Sequence, residues 1–428
     1  MLLRLSILVL LGFTSVIAQG QKFVANYDES KIPAHTLPDP LITQSGDAVT
    51  SADQWNNVRR PELLKLFQQH VYGRGPAACE ISHKVVSTKD DAVNGKAIRR
   101  EVDVFFGKSS DALSMRLLIY TPKTDKPAAA FLGLNFQGNH SVDPDPAIAQ
   151  CDRWVRDRKN GTVKQDRATE KARGVAASRW PVEMIVDRGY GLVTIYYGDI
   201  DPDFHDEFKN GIHGAFADQT KDIPADEKWG SVAGWAYGLS RALDYLNEDK
   251  HIAGDRVAVF GHSRLGKTSL WAGASDPRFK MVISNNSGCG GAALSRRAIG
   301  ETVGRINTSF PHWFNDKFTQ YNLNENACPV DQHQLISLIA PRAVYVASAT
   351  GDKWADPKGE FLAALGAAPV YRLLGTDAMG VDTDGLQQPG PDQPIKGGTI
   401  GYHLRTGKHD VKDFDWQQYL DFADRHLK

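Results

Sequence analysis

Cysteine is scarce in this chain, with four among 428 residues, which excludes a disulfide scaffold standing in for a hydrophobic core. Spacing alone does not choose how Cys79, Cys151, Cys289 and Cys328 pair, if they pair. An excess of either charge is also lacking: the formal net charge is -1. That argues against a nucleic-acid or membrane-surface partner. The histidines show no H-E-x-x-H or comparable ligand spacing, which argues against a metallo-hydrolase, and no cofactor is expected. Internal repeats and low-complexity tracts are absent. Beyond the first residues, no stretch is long and apolar enough for a transmembrane helix.

The first residues are different. Arg4 precedes an apolar run from Leu5 to Ile17, followed by small residues around Ala18. This is the layout of a secretory signal peptide over 1–18, so the mature chain is expected to be exported, periplasmic or secreted. Residues 19–428, about 410 in all, are expected to form one decorated catalytic domain acting as a monomer. Sequons occur at Asn139, Asn160, Asn285 and Asn307, with Asn285 expected at a buried strand end.

A Pro- and Asp-rich lead over 27–51 reads as an extended arm. RRPELLKLFQQHVYG then reads as a helix, with Pro61 in its first turn and Gly73 at its end. Alternating segments at 98–106 and 114–121 suggest an antiparallel pair at a sheet edge. Short apolar runs at 128–136, 191–197, 256–263, 280–286 and 342–349 suit strands buried on both faces. Helical patterns lie between several of them, clearest over 231–247, and a last strand at 399–407 leads to a helix around 416–427. The fold class is α/β, with a mostly parallel central sheet between helical layers. Three polar or Gly- and Pro-rich stretches, 137–179, 313–329 and 375–396, read as loop insertions shaping a site at the carboxyl ends of the strands.

The sharpest signal is RVAVFGHSRLGKTSLWAGA, a β run that ends in Gly261-His262-Ser263-Arg264 and passes at once into a helix. A serine on such a turn presents its hydroxyl clear of the backbone, with free N–H groups and the helix's positive end nearby. The usual G-x-S-x-G is here G-x-S-x-x-G. If Ser263 is a nucleophile, it needs a general base and the base an orienting acid, in the order Ser, acid, His. His409, in the loop after the last strand, is preferred to His403 within that strand and to His312 and His333. Asp352, just past the run at 342–349, is preferred to Asp356, which with Pro357 looks like a helix N-cap.

Taken together, G-H-S-R-L-G-K, SNNSGCGGAALSRR, GETVGRINTSFPHWF, PVDQHQLISLIAPR, DKWADPKGEF and GYHLRTGKHD resemble the bacterial glucuronoyl esterases, carbohydrate esterase family fifteen. The resemblance runs over nearly the whole mature chain. It implies an α/β-hydrolase that cleaves esters of (4-O-methyl-)glucuronic acid, as in lignin-carbohydrate links on glucuronoxylan, with Ser263 as nucleophile and His409 as base. It further implies that Arg264 aims its N–H and guanidinium at the oxyanion, and that Lys267, Glu301 and Trp354 contact the sugar. The chemistry agrees. A fixed cation stabilises the anionic intermediate more than the neutral ester, a lysine donates to hydroxyls, a carboxylate accepts from them, and an indole offers an apolar face to a pyranose.

Two departures stand out. Many members carry glutamate where this chain has Asn286, which cannot bear the charge that stabilises an imidazolium, so the acid falls to Asp352. Fungal members place a bridged cysteine just before the serine; His262 stands there, and that bridge cannot form. The alternatives are an esterase acting on acetyl, feruloyl or pectin methyl esters, and a non-catalytic carbohydrate-binding relative.

Overall fold

The computed structural model describes residues 23–428; the signal peptide expected over 1–18 lies outside the described residues. Nine strands form one sheet: β1 (Ser82–Ala92), β2 (Ala97–Phe105), β3 (Ser114–Pro122), β4 (Ala128–Asn135), β5 (Gly191–Tyr196), β6 (Ile252–His262), β7 (Met281–Asn285), β8 (Ala343–Ala349) and β9 (Ile400–Arg405). Their spatial order is β1-β2-β3-β5-β4-β6-β7-β8-β9. The three ladders from β1 to β5 are antiparallel, and those joining β5, β4, β6, β7, β8 and β9 are parallel.

The apolar runs are continuous because both faces of the sheet are covered. Along β6, Val257 and Val259 pack into one core and Ala258 and Phe260 into the other. The first core is closed by helices α2 (Ser231–Glu248), α3 (Arg264–Ser275) and α4 (Pro357–Leu373), through residues such as Trp235, Leu270 and Phe361. The second is closed by α5 (Asp413–His426), through Trp416, Tyr419 and Phe422. No described helix is long and apolar enough to cross a membrane.

The structure departs from the sequence-based expectations at the amino-terminal side. The expected edge pair is β2 and β3, but β1 lies outside it. Most of β1 faces solvent and carries lysines and bulges, as natural edge strands do, so its sequence lacks a clean alternation. The helix expected over 59–73 contains α1 (Arg60–Phe67) and is part of a helical run beginning at Ala52. Ser51 caps that run by accepting the Gln54 N–H, and a wide π-wound turn at Trp55–Arg59 precedes Pro61. The run ends at Gly73 (φ 86°), where a Cβ would lie 2.3 Å from the Lys228 carbonyl oxygen. The lead before it, expected to be extended, is broken by a 3-10 turn at Glu29–Lys31 and a bridge between Ile42 and Ala48; it is anchored where Glu29 pairs with Arg297 at 2.5 Å and Asn26 O accepts the Gly300 N–H at 2.8 Å.

Gly261 shows how tightly strand and helix meet. A Cβ there would stand 1.8 Å from the Leu265 carbonyl oxygen, and neither α3 nor the buried β6 can retreat. Gly261→Ala is expected to cost about 3 kcal/mol or more, read by denaturant unfolding with CD, against a change within about 0.5 kcal/mol for Gly95→Ala in an open turn once its own left-handed penalty is subtracted.

Candidate active site

Ser263 is the first residue beyond β6 and the N-cap of α3, with φ 60° and ψ -130°. A side chain held there stores about 1–3 kcal/mol of strain, which the surrounding packing must hold. Its N–H donates to Asn285 O at 2.9 Å, locking the turn to the end of β7. The other groups arrive in the same way. Asp203 follows β5, Asn286 follows β7, Asp352 follows β8 and His409 follows β9, all at the carboxyl edge of the parallel strands.

His409 Nδ1 lies 2.6 Å from Asp352 Oδ2, with the imidazole 42% exposed and the carboxylate 5%. Asn286 Nδ2 donates to the same oxygen at 2.9 Å. Among the described residues Ser263 Oγ makes no hydrogen bond. The hydroxyl and the imidazole line one cavity; in substrate-free sites such contacts are often loose and tighten when substrate binds. Beneath His409 lies the His262 ring, 4.5 Å away between centroids. Burial, with the neighbouring His409, pushes the His262 pKa well below the usual range. The neutral ring, held to Asn285 Oδ1 at 2.6 Å, supports the imidazole without adding a charge beneath it.

A cavity of about 340 Å³ takes in Ser263, Arg264, Lys267, Glu301, Asp352, Trp354 and His409. These are all seven residues singled out from the sequence, joined by Asn286, Ser287, Gly288, Phe310, Trp313 and Ala355. The rivals line no part of it, and His312 is bound to Asp203 behind its wall. His403 is buried in β9 between Tyr345 and Asp415, His333 reaches Pro38 O, and Asp356 caps α4 through the Gly359 N–H while pairing with Arg297. Among the described residues no group of three or more His, Cys, Asp or Glu is arranged to hold a metal ion. All four cysteines are free thiols.

A family model described as glucuronyl esterase of fungi matches residues 212–375. A carbohydrate esterase of an unknown prokaryotic organism is 52% identical over 414 residues, spanning 96% of this chain and 94% of that protein. The chain belongs to carbohydrate esterase family 15, the glucuronoyl esterases. Two solved structures agree. A promiscuous CE15 esterase from a marine bacterial metagenome superposes with TM-score 0.87 at 52% identity, covering 94% of this chain and all of that one. A glucuronoyl esterase from Solibacter usitatus does so with TM-score 0.87 at 46% identity, covering 93% of this chain and all of that one. The fold is therefore an α/β-hydrolase and the enzyme a carboxylic ester hydrolase.

In this esterase the cavity wall differs in detail from the expectation. The Lys267 ammonium has three protein acceptors, Ser287 O and Cys289 O at 2.6 Å and Glu301 Oε2 at 3.3 Å. A sugar hydroxyl would have to displace one of them. The Glu301 N–H donates to Trp354 O at 3.0 Å, which ties the acceptor to the 38%-exposed indole. Insertion 137–179 reaches the site region, where Arg179 pairs with Asp410 beside His409 at 2.6 Å, and 313–329 contributes Trp313. Insertion 375–396 lines no wall of the cavity; it pads β9, where Ile395 pairs with Tyr402. Asn285 is buried, as expected of that sequon, and bonds Tyr419.

Sequence reasoning missed Asp203, Trp313, Phe310 and Glu360. Phe310, Trp313 and Glu360 lie within segments that carry the resemblance and Asp203 lies outside them, but none stands in a pattern that assigns it a role, because each acquires meaning only through its neighbours. Glu360 of α4 is fully buried and accepts the N–H groups of Ser287 and Gly288 at 2.7 and 3.0 Å, with Ser348 Oγ 2.7 Å from its second oxygen. Burial pushes its carboxyl up to about 8 against the pull of those donors, with nearby Asp352 adding to the rise. A carboxyl raised in the fold contributes stability that is full below its ordinary value of 4.5 and is lost as pH climbs towards about 8. Wild type is therefore expected to lose Tm between pH 5 and pH 8 more steeply than Glu360→Gln, whose amide keeps the same shape without a proton to lose. Parallel slopes in calorimetry would refute this account.

Proposed function

We propose that the enzyme hydrolyses esters of (4-O-methyl-)glucuronic acid, as in the lignin-carbohydrate links of glucuronoxylan, through Ser263, His409 and Asp352. The observation that carries the reading is the contact of His409 with Asp352 inside the cavity that Ser263 also lines. His409 takes the hydroxyl proton as Ser263 Oγ attacks the C6 carbonyl, giving a tetrahedral intermediate whose negative oxygen faces Arg264. The ester bond then breaks as His409 protonates the departing alcohol. Water, deprotonated by the same imidazole, attacks the acyl-enzyme and releases the uronic acid. Asp352 keeps the Nδ1 proton of His409 directed away from the serine, so that Nε2 is the basic nitrogen.

Arg264 combines the first N–H of α3 with a guanidinium whose Nη2 has no partner among the described residues. Such preorganised donors act where charge develops and are worth roughly 10²–10³ in rate. Lys267, Glu301 and Trp354 form the sugar-facing wall in this reading. Residues 19–428 act as one catalytic domain, exported after removal of 1–18, a placement supported by the amino-terminal sequence. A second reading, a broader plant-polysaccharide esterase, is favoured by one observation: the relative of known structure at 52% identity is described as promiscuous.

Ser263→Ala is expected to abolish turnover of benzyl glucuronate. Asp352→Asn should lower kcat by roughly 10⁴, as loss of the orienting acid does elsewhere. Asn286→Ala should cost far less, and comparable losses in the two variants would overturn the choice of acid. For substrate class, kcat/KM on benzyl glucuronate is expected to exceed that on acetylated xylan and methyl galacturonate by at least about tenfold, the order that one net hydrogen bond to a sugar hydroxyl is worth. Equal values would favour the broader esterase.

A further inference from the structure

The oxyanion role of Arg264 depends on where its guanidinium sits, and a flexible arginine carries about 2 kcal/mol of rotamer entropy that something must offset. In this chain the side chain is enclosed. Its guanidinium carbon lies 4.6 Å from the centre of the Trp313 ring, 5.3 Å from Phe310 and 5.9 Å from Phe136. Phe310 and Trp313 are themselves stacked at 3.7 Å with planes 2° apart, so the platform cannot tilt easily. Arg264 Nη1 donates to Asp203 Oδ2.

Asp203 is wholly buried. Its Oδ1 accepts His312 Nε2 at 2.8 Å and Trp313 Nε1 at 2.7 Å, and its Oδ2 accepts the Tyr197 hydroxyl at 3.0 Å as well as Arg264. The half-exposed Arg156 donates to its carbonyl oxygen at 2.6 Å and lies 3.5 Å from Oδ2. A buried carboxylate is costly unless every lone pair is met, and here both oxygens are met twice. Burial alone would raise this carboxyl. Donation from His312, the charge of Arg264 and donation from Trp313 outweigh it and hold the group well below the usual carboxylate range. The same carboxylate thus grips the guanidinium at one oxygen and the indole it lies on at the other. Only one of the two terminal nitrogens is engaged.

We propose that Asp203 is a positioning residue for catalysis: by binding Arg264 and Trp313 together it fixes the guanidinium before substrate arrives, with Nη2 left to meet the oxyanion. The inference rests on the reading of Arg264 as an oxyanion donor. Asp203 touches no reacting atom, and its contribution is transmitted entirely through Arg264. A residue that merely held the loop after β5 in place would act regardless of Arg264.

Steady-state kinetics on benzyl glucuronate separate the two for wild type, Arg264→Ala, Asp203→Asn and the double variant. Arg264→Ala is expected to lower kcat by about 10²–10³. Asp203→Asn should lower kcat by about 10–100-fold with KM within about threefold. In the Arg264→Ala background the same substitution should cost less than about threefold, because coupled residues are not additive. Equal losses in both backgrounds, or near-wild-type kcat for Asp203→Asn, would overturn the inference. A near-wild-type Arg264→Ala would overturn the oxyanion reading itself, and the two failures are therefore distinct. Should Asp203→Asn fail to fold, Tyr197→Phe removes one donor from the same carboxylate and should show a smaller loss, about three- to tenfold, that also disappears without Arg264. A loss that persists there would count against the proposal.

Discussion

The site depends on one strained turn. Ser263 adopts a backbone conformation that side chains avoid, and it does so because β6 enters and α3 leaves with no room to relax: Gly261 packs against the first turn of the helix, and the serine N–H is tied to Asn285 at the end of β7. The strain lifts the hydroxyl off the sheet and leaves the first N–H of α3 pointing outwards at the positive end of the helix. Each other functional group is delivered to this point by a neighbouring parallel strand. The rim is thus a consequence of strand order, and no single loop has to reach far.

Around that turn the buried ionisable groups differ because their donors differ. Asp203 meets four hydrogen-bonding side chains, one of them the Arg264 guanidinium, with Arg156 paired to it as well, and stays well below the ordinary carboxylate range. Glu360, a few residues beyond Asp352, meets only neutral donors and is raised to about 8. His262, under His409, is kept neutral by burial. Separating the proton affinities of adjacent groups in this way lets one small site hold an imidazole–carboxylate pair, a fixed cation and a neutral support together. Lys267 and Glu301 follow the same logic, with the ammonium bound to two carbonyls and the carboxylate.

Much of this was legible in the chain. The parallel strands announced themselves as uninterrupted apolar runs because both of their faces are covered, and Ser263, Asp352 and His409 stood where a strand ends and a loop begins. What the reading overlooked has a physical pattern. Strand β1 is an exposed edge whose alternation is blurred by lysines and bulges. The helical run from Ala52 starts ahead of Pro61 through a wide turn, which no rule of proline placement foresees. Insertion 375–396 looked like a wall of the site from composition, yet it lies along β9.

Local order along the chain therefore determined which residues could be nucleophile, base and acid, because those roles follow from residue type at the end of a strand. Only the tertiary structure decided that Asn286 would share the oxygen of Asp352 that meets His409, that Lys267 would be held by three acceptors, and that Asp203 would grip both Arg264 and Trp313. Those pairings join segments far apart in sequence. A hydrogen bond depends on distance and angle in space, to which spacing along the chain contributes nothing once two strands and a helix intervene.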